Sequence, residues 1–289
     1  MLTTNTTTPN NDSNKPKNTN DKITNFTIMQ LNSINSDWST KRHELMTTIN
    51  NNDADVVIVS EANVETTNAE KMEERKLHFK LYNLEDKTIN NQNKSRISII
   101  IRKSIPYVRC KNLESDNNST IVIKIRENRV KSTYIIGSYR EWRHFRGPDS
   151  LSPEGINLQI QRLNEINDII TRVNQISKNN MIIWGGDLNL DRNKSNDITK
   201  RPDLRVLMPV FNECLARNDL AQINFLNTWH RPGRRSSLID LFLTNKPQKI
   251  TEVRNEVNIL SEHEAVLIKV DCLKEMRRQQ FITTRNHRN

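Results

Sequence analysis

From Phe26 to Cys272 the sequence is a succession of short apolar runs, among them "FTIMQLNSI", "ADVVIVSEAN", "SRISIIIRK", "STIVIKIRE", "KSTYIIGSYR" and "MIIWGGD". Rich in Val and Ile and too short for stable helices, they read as strands. Helical periodicity is confined to a few stretches. "SDWSTKRHELMTTINNND" puts Trp38, Leu45 and Ile49 on one face, with Ser36 or Asp37 as cap. "INLQIQRLNEINDIITRVNQIS" carries Ile156, Ile160, Leu163, Ile166, Ile170, Val173 and Ile176 in the helical period. "DLRVLMPVFNECLARNDL" is a further helix that Pro209 is expected to kink or interrupt. The three runs between Ser95 and Arg140 have no long helix between them, so antiparallel pairing is expected there and mixed sheets overall. "QINFLNTW", "SLIDLFLTN" and "EAVLIKVDC" add three more β segments.

Residues 1–25 hold almost nothing that could be buried, so ordering them would cost conformational entropy without return; they are expected to be a disordered Asn/Thr-rich tail. A folded domain is expected over 26–272, followed by a polar, basic extension at 273–289. The chain of 289 residues is long enough for one large α/β domain. Its mean hydropathy of −0.75 is low partly because the tail has no core to fill. No run of about 18 apolar residues occurs, and no apolar segment follows a charged start, so neither a membrane span nor a secretory leader is expected. Cys110, Cys214 and Cys272 lack ligand or disulfide spacing, which favours a reducing compartment and gives no zinc site. The net charge of +10 suits a polyanionic partner without identifying one.

The strand-like runs repeatedly end on polar or acidic side chains. Asn32 closes the first, Glu61 the second and Tyr139 a later one; Asp187 and Asn189 follow "MIIWGG", Asp240 lies within "SLIDLF", and Glu262-His263 precedes the last run. Strand ends on one side of a sheet can converge although scattered in sequence. Singly, each has a plain explanation: Asn32 as a turn residue, Glu61 as a solvated charge, Asp240 as a solvent-facing acid between Ile239 and Leu241, His263 as a structural histidine. Asp187 is harder to dismiss, because Gly185-Gly186 permit close backbone approach and Asp-x-Asn places two oxygen-bearing side chains on one side of an extended chain. The glycines are expected to leave room for substrate. An Asp within reach of His263 would orient its ring and raise its proton affinity.

In this order, Asn32, "SEAN" with Glu61, "GSYREW" with Tyr139, "GGDLN" with Asp187 and Asn189, "SLID" with Ser237 and Asp240, and "SEH" with His263 resemble the endonuclease/exonuclease/phosphatase superfamily, and within it the apurinic-type endonuclease domain of non-LTR retrotransposons. The resemblance covers about Phe26 to Cys272. It implies an α/β fold, a four-layer DNase I-like sandwich of two mixed β-sheets flanked by helices, with the site at one rim. It implies that Glu61 is the main ligand of a divalent metal, with Asn32 and Glu262 beside it; hard oxygen donors suit Mg²⁺, with Mn²⁺ as an alternative. Asp187 would orient or deprotonate the attacking water with Asn189 holding the water or the phosphate. His263, oriented by Asp240, would stabilise the scissile phosphate, with Tyr139 and Ser237 as further phosphate-side contacts. The activity implied is nicking of one DNA strand to leave a 3′-hydroxyl.

Two positions depart from the family pattern. Ser261-Glu262-His263 stands where Ser-Asp-His is usual, so that carboxylate is one methylene longer and reduced activity is expected. Glu141-Trp142 stands where many relatives have Pro-Asn after the tyrosine. Arg140, Arg143 and Arg146 in "YREWRHFRGP", and Arg231, Arg234 and Arg235 in "HRPGRRSS", are the candidate DNA contacts; solvated basic loops are the plain alternative. The expected partners are DNA and a divalent metal, with no membrane and no small-molecule cofactor. Two other functions compete: an abasic-site repair endonuclease, and a nucleic-acid-binding module silenced through Glu262. A chromosomal substrate would imply nuclear access.

Overall fold

The computed structural model describes residues 25–34, 38–89, 94–127, 131–141, 149, 151–176, 179–191 and 202–271. The expected tail up to residue 24, the extension at 273–289, the cap at Ser36 or Asp37, and Arg143 and Arg146 lie outside the described residues.

The apolar runs form two six-stranded sheets. In chain order the strands of the first half are β1 (Asn25–Asn32), β2 (Val56–Glu65), β3 (Tyr82–Thr88), β4 (Lys94–Arg102), β5 (Tyr107–Arg109) and β6 (Ser119–Arg126). Those of the second half are β7 (Ser132–Tyr139), β8 (Met181–Asp187), β9 (Ala221–Gln222), β10 (Asp240–Thr244), β11 (Ile250–Glu256) and β12 (Ala265–Asp271). The helices are α1 (Trp38–Asn51), α2 (Ala69–His78), α3 (Pro153–Ile176) and α4 (Pro202–Arg217). One sheet runs β11-β12-β1-β2-β4-β3 and the other β5-β6-β7-β8-β10-β9. Each contains a single parallel pair, β1–β2 and β7–β8, and α1 and α3 are the crossovers those pairs require. All other pairings are antiparallel.

Strand alternation sorts the apolar side chains into three cores. Ile28, Ile58 and Ile99 of the first sheet meet Ile123, Ile183 and Phe242 of the second between the sheets. The alternate positions Met29, Leu31 and Val57 face Leu45 and Ile49 of α1. Ile136, Trp184 and Leu241 face Leu163, Ile170 and Phe211 of α3 and α4. Helix, sheet, sheet, helix is the expected four-layer sandwich. Each Ile buried to 0% in these layers contributes about 2 kcal/mol of apolar transfer.

Gly185 and Gly186 serve this packing. A Cβ at Gly185 would lie 2.6 Å from the Phe242 ring and 2.9 Å from Cδ1 of Ile58 on the opposite sheet. Gly186 has φ +149°, and a Cβ there would lie 1.8 Å from the carbonyl oxygen of Ser138. The room they leave is filled by the protein and not by substrate, contrary to expectation.

Other expectations shift locally. α3 begins at Pro153, three residues before the first periodic Ile, because Ser152 caps it: its Oγ accepts from the Gly155 amide at 3.1 Å and Pro153 stands where no donor is needed. α4 runs without a break through Pro209, which is exposed, so the carbonyl that loses its partner faces water. Of "QINFLNTW" only Gln222 lies in a strand, the two-residue β9; the rest is loop, tied to β10 by Asn224, which donates to Asp240 O at 2.8 Å. The charged helix α2 offers no apolar stripe to read.

Candidate active site

Between the sheets, each inner-face stripe of apolar residues ends on polar ones at the same rim. On β1 the stripe Phe26, Ile28 continues into Gln30 and Asn32; on β2 Val56, Ile58 end in Ser60; on β7 Ile135, Gly137 end in Tyr139; on β8 Ile183, Gly185 end in Asp187. β10 enters from that rim with Asp240, two residues before Phe242. Register places Asp187 beside Tyr139 on one side and Asp240 on the other. Asp240 therefore alternates with Leu241 as expected, but the opposite face is the interior and not solvent: the residue is 0% exposed.

Glu61 reaches the rim differently. The β2–β4 pairing slips between Ser60 and Val64, and Glu61 and Asn63 adopt φ of 52° and 50°. For a non-glycine residue this left-handed geometry costs about 1–2 kcal/mol, and the bulge brings the side chain to Asn32 and Tyr139. Asn189, at φ 51°, makes the matching turn after β8.

The side chains form one connected set. Asn32 Nδ2 donates to Asp187 Oδ2 at 2.9 Å and to Glu61 Oε1 at 3.3 Å. Tyr139 Oη donates to the same Glu61 oxygen at 3.2 Å. The Asn189 amide donates to Asp187 Oδ1 at 2.9 Å, and the Asp187 amide donates to Ser60 Oγ at 3.2 Å. His263 Nδ1 lies 2.7 Å from Asp240 Oδ2, while Gln30 Nε2 donates to Asp240 Oδ1 at 2.8 Å. One ligand-type atom each from Asp187, Asp240 and His263 lies within 4.8 Å of the others.

These groups shift one another. Burial, reinforced by the nearby Asp240 and Glu61 carboxylates, pushes Asp187 up to about 7 although His263 and the Asn189 amide oppose it. For His263 burial disfavours the charged ring, but the charge and hydrogen bond of Asp240, with Asp187 and Glu61 adding, hold it up to about 9. Tyr139 is raised well above the ordinary phenol range by burial and then by Glu61 and Asp187. With a value near 9 the imidazole is a cation at neutral pH, with an N–H on each nitrogen, Nδ1 donating to Asp240. A protonated ring has no lone pair for a metal. Of the acidic groups that could hold one, Glu61 and Asp187 are better placed than the Asp240–His263 pair, whose facing atoms already occupy each other.

Asn32, Glu61, Tyr139, Asp187, Asn189, Asp240 and His263 are brought together. Ser237 is buried and pairs through its backbone with Trp229, which also bridges His263, so it lies beside this set. Glu262 points elsewhere: half-exposed, it pairs with Arg231 at 3.6 Å. Arg231, Arg234 and Arg235 lie exposed on the loop before Ser237. Arg140 is a correction. It is 1% exposed, and its guanidinium donates to the carbonyls of Leu188 and Asn189 and to Gln159 of α3. Asn189 Nδ2 returns a bond to Arg140 O at 2.8 Å. Alternation after Tyr139 turns Arg140 toward the helical layer, so it braces the Asp187-Asn189 turn and cannot reach DNA. Sequence reasoning missed Gln30 and Thr228, whose Oγ1 accepts from the Asp240 amide at 3.1 Å. A glutamine on the inner-face parity of "FTIMQLN" was the readable signal for the first.

Residues 29–263 match the Endonuclease/Exonuclease/phosphatase family. Among curated proteins no sequence matches this chain. Solved structures with the same fold include the endonuclease domain of TRAS1, a telomere-specific non-LTR retrotransposon, at 17% identity and TM-score 0.60, covering 86% of this chain and 100% of that one. The AP endonuclease LMAP from Leishmania major superposes with TM-score 0.67 at 11% identity, over 86% and 88% of the two chains. The 3′ phosphatase NExo from Neisseria, bound to a product DNA hairpin, does so with TM-score 0.60 at 12% identity, over 85% and 99%. A match over most of the chain, on the two-sheet sandwich with its polar rim, assigns the protein: it belongs to the endonuclease/exonuclease/phosphatase family.

Proposed function

We propose that the protein is a divalent-metal-dependent phosphodiesterase, and specifically a DNA endonuclease of the retrotransposon type that nicks one strand and leaves a 3′-hydroxyl. The observation that carries this reading is Asp187, buried between the Asn32–Glu61 pair on one side and the Asp240–His263 pair on the other.

The donor set fits a cation. The carboxylates of Glu61, Asp187 and Asp240 converge against the single imidazole of His263, and their mutual repulsion is part of what raises Asp187. Glu61 is half-buried, with Oε1 pinned by Asn32 and Tyr139; Oε2 takes no hydrogen bond from the described residues. Glu61, with Asn32 alongside and Asp187 within reach, would hold Mg²⁺, or Mn²⁺ in its place. Bound there, the ion supplies Lewis-acid neutralisation of phosphate charge.

The chain's own groups supply the rest. Asp187, titrating near 7, is poised to orient a water and take its proton at neutral pH. The protonated His263, fixed by Asp240, presents positive charge to the scissile phosphate where charge accumulates. Asn189, braced by Arg140, holds the Asp187 carboxylate through its amide. Ser237 lies on the phosphate side, and Arg231, Arg234 and Arg235 extend it with charge for the DNA backbone.

The test is conversion of supercoiled plasmid to the nicked circle by the purified protein in Mg²⁺, with and without EDTA, beside a duplex carrying one abasic site. Metal-dependent nicking of plain plasmid with extendable 3′ ends supports the reading. Cleavage confined to the abasic duplex would make it a repair enzyme, and binding without cleavage a nucleic-acid-binding module.

A further inference from the structure

The segment Tyr139-Arg140-Glu141, where the departure from the family pattern begins at Glu141, has a defined place at the rim. Tyr139 donates to Glu61 and Arg140 braces the Asp187-Asn189 turn. Glu141 is held from α3, where Arg162 Nη1 donates to its carbonyl at 3.1 Å and Arg162 Nη2 lies 3.7 Å from its Oε2. Its other oxygen, Oε1, lies 3.3 Å from Nε of Arg96. Arg96 comes from β4 of the opposite sheet, so this ion pair ties the two sheets together across the mouth of the site. Both side chains are sheltered, 19% exposed for Arg96 and 12% for Glu141.

From that position Arg96 acts on Tyr139. Its guanidinium lies 5.2 Å from the centre of the phenol ring, and Nη2 donates to Tyr139 Oη at 3.3 Å. A guanidinium has donors only, so this bond occupies an oxygen lone pair of the phenol and leaves its proton for Glu61 Oε1. With Asn32 donating to the same atom, Oε1 is fixed, and Oε2 takes no hydrogen bond from the described residues. Glu61 needs such support, because it sits at a left-handed bulge with no regular strand neighbour to set its side chain.

We infer that Arg96 and Glu141 are positioning residues of this site: Glu141 fixes Arg96, Arg96 fixes the direction of the Tyr139 hydroxyl, and that hydroxyl aims Glu61 for a divalent cation. The inference rests on the phosphodiesterase reading and gives Glu141, one of the two residues that depart from the family pattern after the tyrosine, a physical role: its carboxylate anchors an arginine beside that tyrosine.

The test is a double-mutant cycle on the full chain with Arg96→Ala, Glu141→Ala and the pair, plus Arg96→Lys and Glu141→Gln. Two readouts are taken: steady-state nicking of plasmid, and the midpoint of the rise in melting temperature with Mn²⁺, which needs no turnover. Each alanine variant is expected to lower kcat about 10- to 100-fold with KM for DNA changed by less than about twofold, and to weaken the Mn²⁺ midpoint about tenfold. The double variant is expected to be no worse than Arg96→Ala alone, because both changes cut the same chain. Arg96→Lys should recover only part, since one ammonium cannot hold both Glu141 and the phenol oxygen with the planar fork of a guanidinium. A raised KM with unchanged kcat would make Arg96 a DNA contact and overturn the inference. A lower melting temperature in EDTA with kcat and Mn²⁺ midpoint intact would reduce the pair to a structural tie. Should the wild type fail to nick, the phosphodiesterase reading fails while the Mn²⁺ cycle still decides the inference; a wild type without any Mn²⁺ response overturns both.

Discussion

Among the described residues, two sheltered clusters of charge are built on opposite principles. Around β3 and β5, Arg75 forks onto Asp86, Arg109 bridges Glu85 at 3.1 Å and Glu114 at 2.9 Å, and Lys87 sits 3.8 Å from Glu114 while donating to the carbonyls of Ser115 and Thr120. Three cations, Arg75, Lys87 and Arg109, answer three carboxylates, Glu85, Asp86 and Glu114. At the rim, Glu61, Asp187 and Asp240 crowd around His263, while Arg96 pairs with Glu141 and donates to Tyr139. The first cluster is closed and neutral. The second is short of positive charge, which is what the proposed site for a cation and a phosphate requires. Burial alone does not separate structural from functional charge; balance does.

The contrast can be broken from either side. Asp86→Ala would remove the carboxylate onto which Arg75, 5% exposed, forks and should cost about 3–5 kcal/mol in urea unfolding, with nicking per folded molecule unchanged; loss of nicking at full stability would erase the distinction. At the rim, His263 has a folded-state value near 9 against an ordinary 6.5. Its stabilisation is complete below pH 6.5 and is lost as pH rises through 9, on the order of 2–3 kcal/mol. Stability in EDTA should fall across that window in the wild type and stay flatter in His263→Gln; parallel curves would show that the Asp240–His263 pair carries no such charge. The smallest effect is outside both clusters. Reversing Arg234 and Arg235 to Glu should reduce the salt dependence of DNA binding by about two in the log–log slope, and an unchanged slope would remove that loop from the interface.

Much of this was legible in sequence, for a physical reason. A strand's period of two makes its inner-face stripe readable, so Asn32, Tyr139 and Asp187 announced themselves as polar ends of apolar runs. Glu61 was found as a strand-end acid, though the bulge that aims it leaves no trace in composition. Arg140 was misread because a basic residue beside other basic residues suggests a binding loop, whereas its parity points it into the helical layer. The glycine pair reads as a close-approach position, but which surface approaches is a tertiary fact, set by Ile58, Phe242 and Ser138. The balanced cluster has no signature in the sequence, because its members alternate in charge over several elements between Arg75 and Glu114 and each reads as a surface charge.

The most direct test is the melting temperature of Asp187→Asn against wild type in EDTA from pH 4 to pH 8, with nicking in Mg²⁺ assayed on the same preparations. Asp187 is raised from 3.8 to about 7, so its ionised form is disfavoured by the fold: the penalty is absent below pH 3.8 and complete above pH 7. The account predicts that the variant loses nicking yet melts higher than wild type by several degrees at pH 8, on the order of 1–3 kcal/mol, and that the gap closes toward pH 4. A variant that melts lower than wild type at pH 8, or that still nicks, would contradict the view that this carboxylate is held at the rim for chemistry at the expense of stability.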